Sequence, residues 1–126
     1  TKSSEMTGVA LLVSLETRLD NLVYRLGFAS SIRMARQMVS HRHIEVDGVK
    51  INIPSYSVKV GQVISLVEKA QKSEQFKKSW LSDTKAKFDY LERDEEKFSG
   101  KLTRLPLRAE IPVQINEQMV VEYYSK

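Results

Sequence analysis

Cysteine is absent from this 126-residue chain, which excludes disulfides and every thiolate metal site. That fits a reducing cytoplasmic setting. Long apolar runs are missing too: the longest, Val9 to Val13, falls far short of the roughly 20 residues of a membrane-spanning helix. No basic-then-apolar signal peptide opens the chain. It begins on Thr1-Lys2-Ser3-Ser4 without a Met, as expected of a fragment or a processed form. With only five glycines and three prolines, there is no glycine-rich phosphate loop and no nucleophile elbow. Paired carboxylates occur only at Asp94-Glu95-Glu96, without the apolar surroundings that raise a carboxyl pKa. The residues offer little to catalysis, and the expectation is a chain that is not an enzyme and needs no cofactor.

What is present is a foldable composition. Apolar residues make up 41% of the chain, enough for one small domain with extensions. The net charge is +4 and the pI near 9.3, too mild a surplus to identify a nucleic-acid binder by itself. Its location is more telling. Seven basic residues (Arg18, Arg25, Arg33, Arg36, Arg42, Lys50, Lys59) face three acids (Asp20, Glu45, Asp47) between Arg18 and Lys59. That stretch carries the whole surplus.

The periodicity predicts helices first. Thr7 to Ser14 reads as a small apolar helical arm. Thr17 and Asp20 have the spacing of a capping box. Leu19, Leu22, Val23 and Leu26 then form one apolar stripe that ends at Gly27, a C-terminal cap. Ser30 or Ser31 caps a second helix with Ile32, Ala35, Met38 and Val39 on its apolar side. Ile44 to Val46 follows as a strand, and Asp47-Gly48 is a strong hairpin signal. Val49, Ile51 and Ile53 alternate with polar residues, so one face of that strand is expected to be buried. Pro54 stops it, Gly61 turns the chain, and Val63 to Val67 is another strand. Beyond Glu68, Lys72 to Lys87 is a helix candidate with Phe76 and Trp80 as core residues. Gly100, Pro106 and Pro112 punctuate an extended or looped region, and Met119 to Tyr124 fits a strand or a helix.

The fold class expected is α+β: a helix–helix pair with a small antiparallel sheet, followed by a mainly helical and extended C-terminal part. The division expected is a helical remnant over 1–14, a module over 15–70 and an extension over 71–126 that packs back on the helical part.

A second stripe on the helix after Ser30 holds Arg33, Arg36, Gln37 and Ser40 at helical spacing, and His41, Arg42 and His43 follow at its exit. Arginine forks suit phosphates and base edges, and a row of them can follow a phosphate backbone. The helix start adds free backbone donors for an anion. By periodicity alone, a solvated polar face fits as well as a binding face. The absence of any acid from Ser30 through Ile44 favours binding, because solvated faces usually mix signs. His41 and His43 lack a third ligand, so no metal site is expected. Tyr24 and Tyr56 could stack on bases, although half-buried packing is the commoner fate of such tyrosines.

Leu15-Glu16-Thr17-Arg18-Leu19-Asp20-Asn21-Leu22-Val23-Tyr24-Arg25-Leu26-Gly27-Phe28 resembles the opening signature of the small-subunit ribosomal protein S-four family, bacterial type. Ala35 to His41, then Val46-Asp47-Gly48 and Val49 to Tyr56, continue in the family's order, and Ile115 to Lys126 is similar to its C-terminus. The resemblance implies the family's helix–helix plus sheet RNA-binding module. It implies direct binding to a junction of small-subunit rRNA, nucleation of the subunit body and a contribution to translational accuracy in the cytoplasmic ribosome. It further implies contact with the neighbouring small-subunit protein S-five and with mRNA where the message enters. Some members repress their own message. The RNA contacts it implies are Arg18, Asn21, Arg25, Arg33, Arg36, Gln37, Ser40, His41, Arg42 and His43, with Lys50, Tyr56 and Lys59 from the sheet side.

Three departures stand out. The family's N-terminal region, zinc-bearing in some members, has no counterpart before about Gly8. Arg42 stands where many members carry Gly, and Arg93 where many carry Trp. The alternative is a free-standing RNA-binding module of the same fold, such as a heat-shock or ribosome-rescue factor, but those lack a tail like Leu91 to Lys126. RNA enzymes with similar modules need a further catalytic domain.

Overall fold

The computed structural model describes residues 2–82 and 88–111. Four helices, α1 (Lys2–Glu16), α2 (Leu19–Leu26), α3 (Ile32–Ser40) and α4 (Glu74–Leu81), accompany five strands among these residues. The strands are β1 (Ile44–Val46), β2 (Val49–Lys50), β3 (Val63–Leu66), β4 (Leu91–Asp94) and β5 (Ser99–Leu102). All pairings are antiparallel, in the order β2-β1-β3-β5-β4. The class is α+β, as expected. No helix among the described residues is long and apolar enough to cross a membrane.

The predicted apolar stripes are the core. Leu19, Leu22, Val23 and Leu26 from α2 and Ala35, Met38 and Val39 from α3 are buried with Ile44, Val46, Ile64 and Leu66 from the sheet. Ser31 caps α3 by accepting from the Met34 N–H at 3.1 Å. The α2 start differs from the expected capping box. Thr17 ends α1 instead, donating from both its amide and its hydroxyl to the Val13 carbonyl. The first α2 donors, Leu19 N and Asp20 N, go to the carbonyls of Tyr56 and Pro54. The helix is capped by a distant loop, which ties that loop to the α1–α2 corner.

The Asp47-Gly48 turn forms as read, with φ of +50° and +81°, the twist a two-residue hairpin requires. Burial beyond it departs from expectation. Val49 is 61% exposed and Ile53 56% exposed, because β2 is a two-residue edge strand and the chain then leaves the sheet to cap α2. Alternation there marks an edge, not a core face. Val58 is buried while Val60 is exposed.

The C-terminal segment contributes more sheet than its composition suggests. β4 and β5 form a hairpin, and β5 pairs with β3 through Val63–Lys101 and Ile64–Gly100. Gly100 lies under α2: a Cβ there would come within 2.5 Å of Leu26 Cδ2. Trp80 of α4 is fully buried, stacked on Phe28 at 4.6 Å and Phe98 at 5.9 Å. Arg93, at the position noted for Trp, lays its guanidinium 3.5 Å over the Trp80 ring. It also donates to the carbonyls of Leu26 and Trp80, so cation–π stacking and backbone bonds occupy that place. The helix candidate over 72–87 is shorter as seen, with a 3-10 turn at Ala70–Lys72 before α4. Residues 83–87 lie outside the described residues, as do the segment expected at Met119 to Tyr124 and the similar tail from Ile115.

Candidate nucleic-acid interface

Two buried carboxylates organise the basic residues of the helical corner. Asp20, only 2% exposed, accepts from Arg18 Nε and Nη2 at 3.1 and 3.0 Å. The same carboxylate accepts from Arg36 Nε at 3.2 Å, so one acid holds arginines from α2's start and α3's outer face. Glu16, 3% exposed, accepts from Arg25 Nε at 3.0 Å and from the Tyr90 hydroxyl at 2.8 Å. Burial, with the Glu16 charge next, pushes the Tyr90 phenol far above its ordinary range. Tyr90 therefore stays a donor at any physiological pH. A buried charge is tolerable only with such partners.

These carboxylates sort the expected contacts. Arg33, Arg36, Gln37 and Ser40 are all exposed along one side of α3, and His41 and Arg42 are exposed at its exit. Arg36 keeps about half its side chain in solvent while braced by Asp20. Arg25 is different: its side chain is 11% exposed, spent on Glu16 and lying 5.4 Å from the Phe88 ring centre. Asn21 likewise donates inward, to the Glu16 carbonyl at 2.7 Å. Arg18 is 16% exposed on its side chain. Tyr56 is half-buried, and its hydroxyl accepts from Gln62 Nε2 at 3.1 Å. Lys59 is exposed nearby, its amide bonded to Gln62 Oε1 at 2.7 Å. Tyr56 and Lys59 thus flank the loop that caps α2, beside Arg18 through the Arg18–Ser57 bridge.

The exit of α3 has its own geometry. His43 N donates to Met38 O and Arg42 N to Val39 O, the paired bonds of a Schellman end. Arg42 fills the left-handed position at φ +63°, where an L side chain costs about 1 kcal/mol or more. Gly27 closes α2 with the equivalent bonds. His41, Arg42, His43 and Lys50 come together around a single open groove. Burial chiefly, then the charges of His41 and Lys69, holds the His43 pKa below its usual value. Its ring lies 5.1 Å from that of Phe76. No group of three metal-ligating side chains occurs among the described residues. Of the expected residues, the structure brings Arg18 and Arg36 together on Asp20 and His41, Arg42, His43 and Lys50 around the groove, while Asn21 and Arg25 turn to Glu16.

Asp20 and Glu16 were not foreseen as organisers. Asp20 stands beside the α2 apolar stripe, but only the fold reveals that Arg36 reaches it.

A two-helix corner feeding a hairpin, with exposed donors on the second helix's outer face, defines a small α+β module with a basic helical surface. Residues 17–64 match the S4 domain family. Over 125 residues, 99% of this chain, it is 51% identical to small ribosomal subunit protein uS4 of Parabacteroides distasonis. It is 50% identical, over the same share, to uS4B of Clostridium acetobutylicum. Over 119 residues, 94% of the chain, it is 52% identical to uS4 of a Geobacillus species. Along nearly its whole length the chain is similar to proteins of the uS4 family. It spans 62%, 65% and 59% of the lengths of these three relatives, respectively.

Proposed function

We propose that this chain is a structural constituent of the small ribosomal subunit that binds small-subunit rRNA directly through the outer face of α3 and its exit. The observation that carries this is the exposed row of donors Arg33, Arg36, Gln37 and Ser40, continued by His41 and Arg42, with no acid from Ser30 to Ile44. Similarity along nearly the whole chain to proteins named small ribosomal subunit protein uS4 supports the choice of RNA. Arg18, Lys50, Tyr56 and Lys59 widen the contact, whereas Asn21 and Arg25 serve it by bracing the helical corner through Glu16. Residues 15–70 carry this surface, and 71–126 form an extension. In this role the chain nucleates assembly of the subunit body and contributes to translational accuracy. Its neighbours would be protein S-five and the mRNA where it enters the cytoplasmic ribosome.

A titration against rRNA junction fragments, with tRNA as competitor and salt varied, tests the reading. Binding should weaken steeply with salt and favour the junction. Equal affinity for the two RNAs would refute rRNA specificity. Arg36→Ala should weaken junction binding by roughly 1–3 kcal/mol if Arg36 reads a base, or flatten the salt slope by about one if it meets phosphate. An unchanged titration would mean that the stripe is only solvated.

A further inference from the structure

The groove at the α3 exit holds about 860 Å³, and one wall comes from residues beyond the 17–64 match. Arg42, Lys50, Lys69 and Lys72 all line it, with Glu45 and Glu68 among them. Glu45 faces Lys50 across the β1–β2 ladder and partly offsets it. Arg42, Lys69 and Lys72 are exposed, and no ion pair among the described residues ties them. Phe76, half-buried, also lines the groove, and the His43 ring lies 5.1 Å from it, so two rings stand among the cations. The groove is continuous with the α3 stripe through His41 and Arg42.

Exposed cations beside an aromatic ring are what an unpaired strand requires. Phosphates meet the amines while a base stacks on the aromatic face. A paired helix cannot present a base face in this way, because its bases are stacked on one another. We propose that this groove is a second RNA site that takes an unpaired RNA strand. Lys69, Lys72 and Arg42 hold its phosphates, and Phe76 with His43 receives a base. The proposal rests on the RNA-binding reading above and extends it to residues outside the S4 match.

Arg42 supplies an independent argument. The ends of α2 and α3 are the same Schellman turn, closed once by Gly27 at φ +97° and once by Arg42 at φ +63°. Glycine enters the left-handed region without a Cβ clash, and arginine does not. A side chain held at a position that disfavours it is explained if the guanidinium is needed where the turn aims it, at the groove.

The test uses fluorescence titration of the full chain with a short oligouridylate, a duplex of the same length and an rRNA junction fragment. Lys69→Gln with Lys72→Gln should lower the salt slope for oligouridylate by about 1.4, at about 0.7 per single-strand phosphate. Phe76→Leu keeps an apolar side chain but no ring. It should weaken oligouridylate binding roughly 5- to 100-fold with the slope unchanged. Arg42→Gly should weaken binding while raising the thermal midpoint, a pairing of signs that loss of fold cannot produce. If the groove variants leave oligouridylate binding intact while Arg36→Ala weakens the junction complex, the groove site is wrong and the RNA reading stands. Equal affinity for duplex and oligouridylate would overturn the unpaired-strand assignment. Failure of the unaltered chain to bind any of the three RNAs would overturn both.

Discussion

Replacing Asp20 by Asn removes one negative charge from beneath two arginines while keeping the side chain's shape. An amide oxygen can still accept from Asn21 N, which meets Oδ1 of Asp20 at 2.7 Å. What disappears is the ionic part of the Arg18 fork and of the Arg36 brace. The Arg18 pair is partly buried and two-pronged, so its loss costs about 1.5–3 kcal/mol. Arg36 keeps 52% of its side chain in solvent, so its share is only about 0.2–1 kcal/mol. Together they amount to about 2–4 kcal/mol, a fall in Tm of about 8–16 °C for a chain of this size. Urea and thermal melts followed by circular dichroism would measure it, with Arg36→Ala as the small-effect control. A loss below about 0.5 kcal/mol would refute the account, because desolvation of the buried acid would then cancel its attraction. RNA binding gives a second, opposite-signed reading. The substitution raises the net charge, so long-range electrostatics alone would tighten the complex. If Asp20 holds Arg36 in its binding geometry, junction binding should weaken instead. Tighter binding would refute that bracing role.

Other outcomes follow from single contacts. Glu110 accepts from Arg104 and from Leu107 N, and these bonds, Arg104's first, lower its carboxyl pKa from 4.5 to about 2. A depressed folded-state pKa contributes stability above about pH 4.5 that is lost as pH falls toward 2. Tm measured across that window should therefore fall less steeply for Glu110→Gln than for the unaltered chain. High salt should narrow the gap, since the pair is in solvent, and parallel curves would contradict the assignment. Gly100→Ala should destabilise by about 1–3 kcal/mol through overpacking against Leu26. The same change made on a Leu26→Ala background should be close to neutral in urea melts, and an equal cost on both backgrounds would place the strain elsewhere.

Much of the architecture was legible because local signals and tertiary demands agree. The stripes on α2 and α3 are long enough to fix a helical period, and Asp47-Gly48 can adopt the positive φ values of its turn. The failures share a cause. The Thr17–Asp20 spacing permits a capping box, but Val13 captures the threonine hydroxyl and the fold buries Asp20 beneath arginines. Val49 and Ile53 alternate as a core strand would, yet among the described residues both stay exposed at that edge. Leu91 to Asp94 and Ser99 to Leu102 have no β-branched residues, and β5 joins the sheet through β3, more than thirty residues earlier in the chain. The stripe on α3 was visible from spacing alone. Its brace and the far wall of the groove were not, because Asp20, Lys69, Lys72 and Phe76 join it only through the fold.

The strand order carries a consequence for the order of events during synthesis. β5 is an inner strand, seated between β3 and β4, yet it is the last of the five to leave the ribosome that makes it. Until Leu102 has emerged, β3 presents an open edge of unpaired backbone groups, and Leu26 has no Gly100 beneath it. A nascent chain containing only the segment up to Leu66 would hold the basic helix but a sheet ready to pair with the wrong strand. The closing hairpin thus sets the earliest moment at which the basic face can be presented on a finished support.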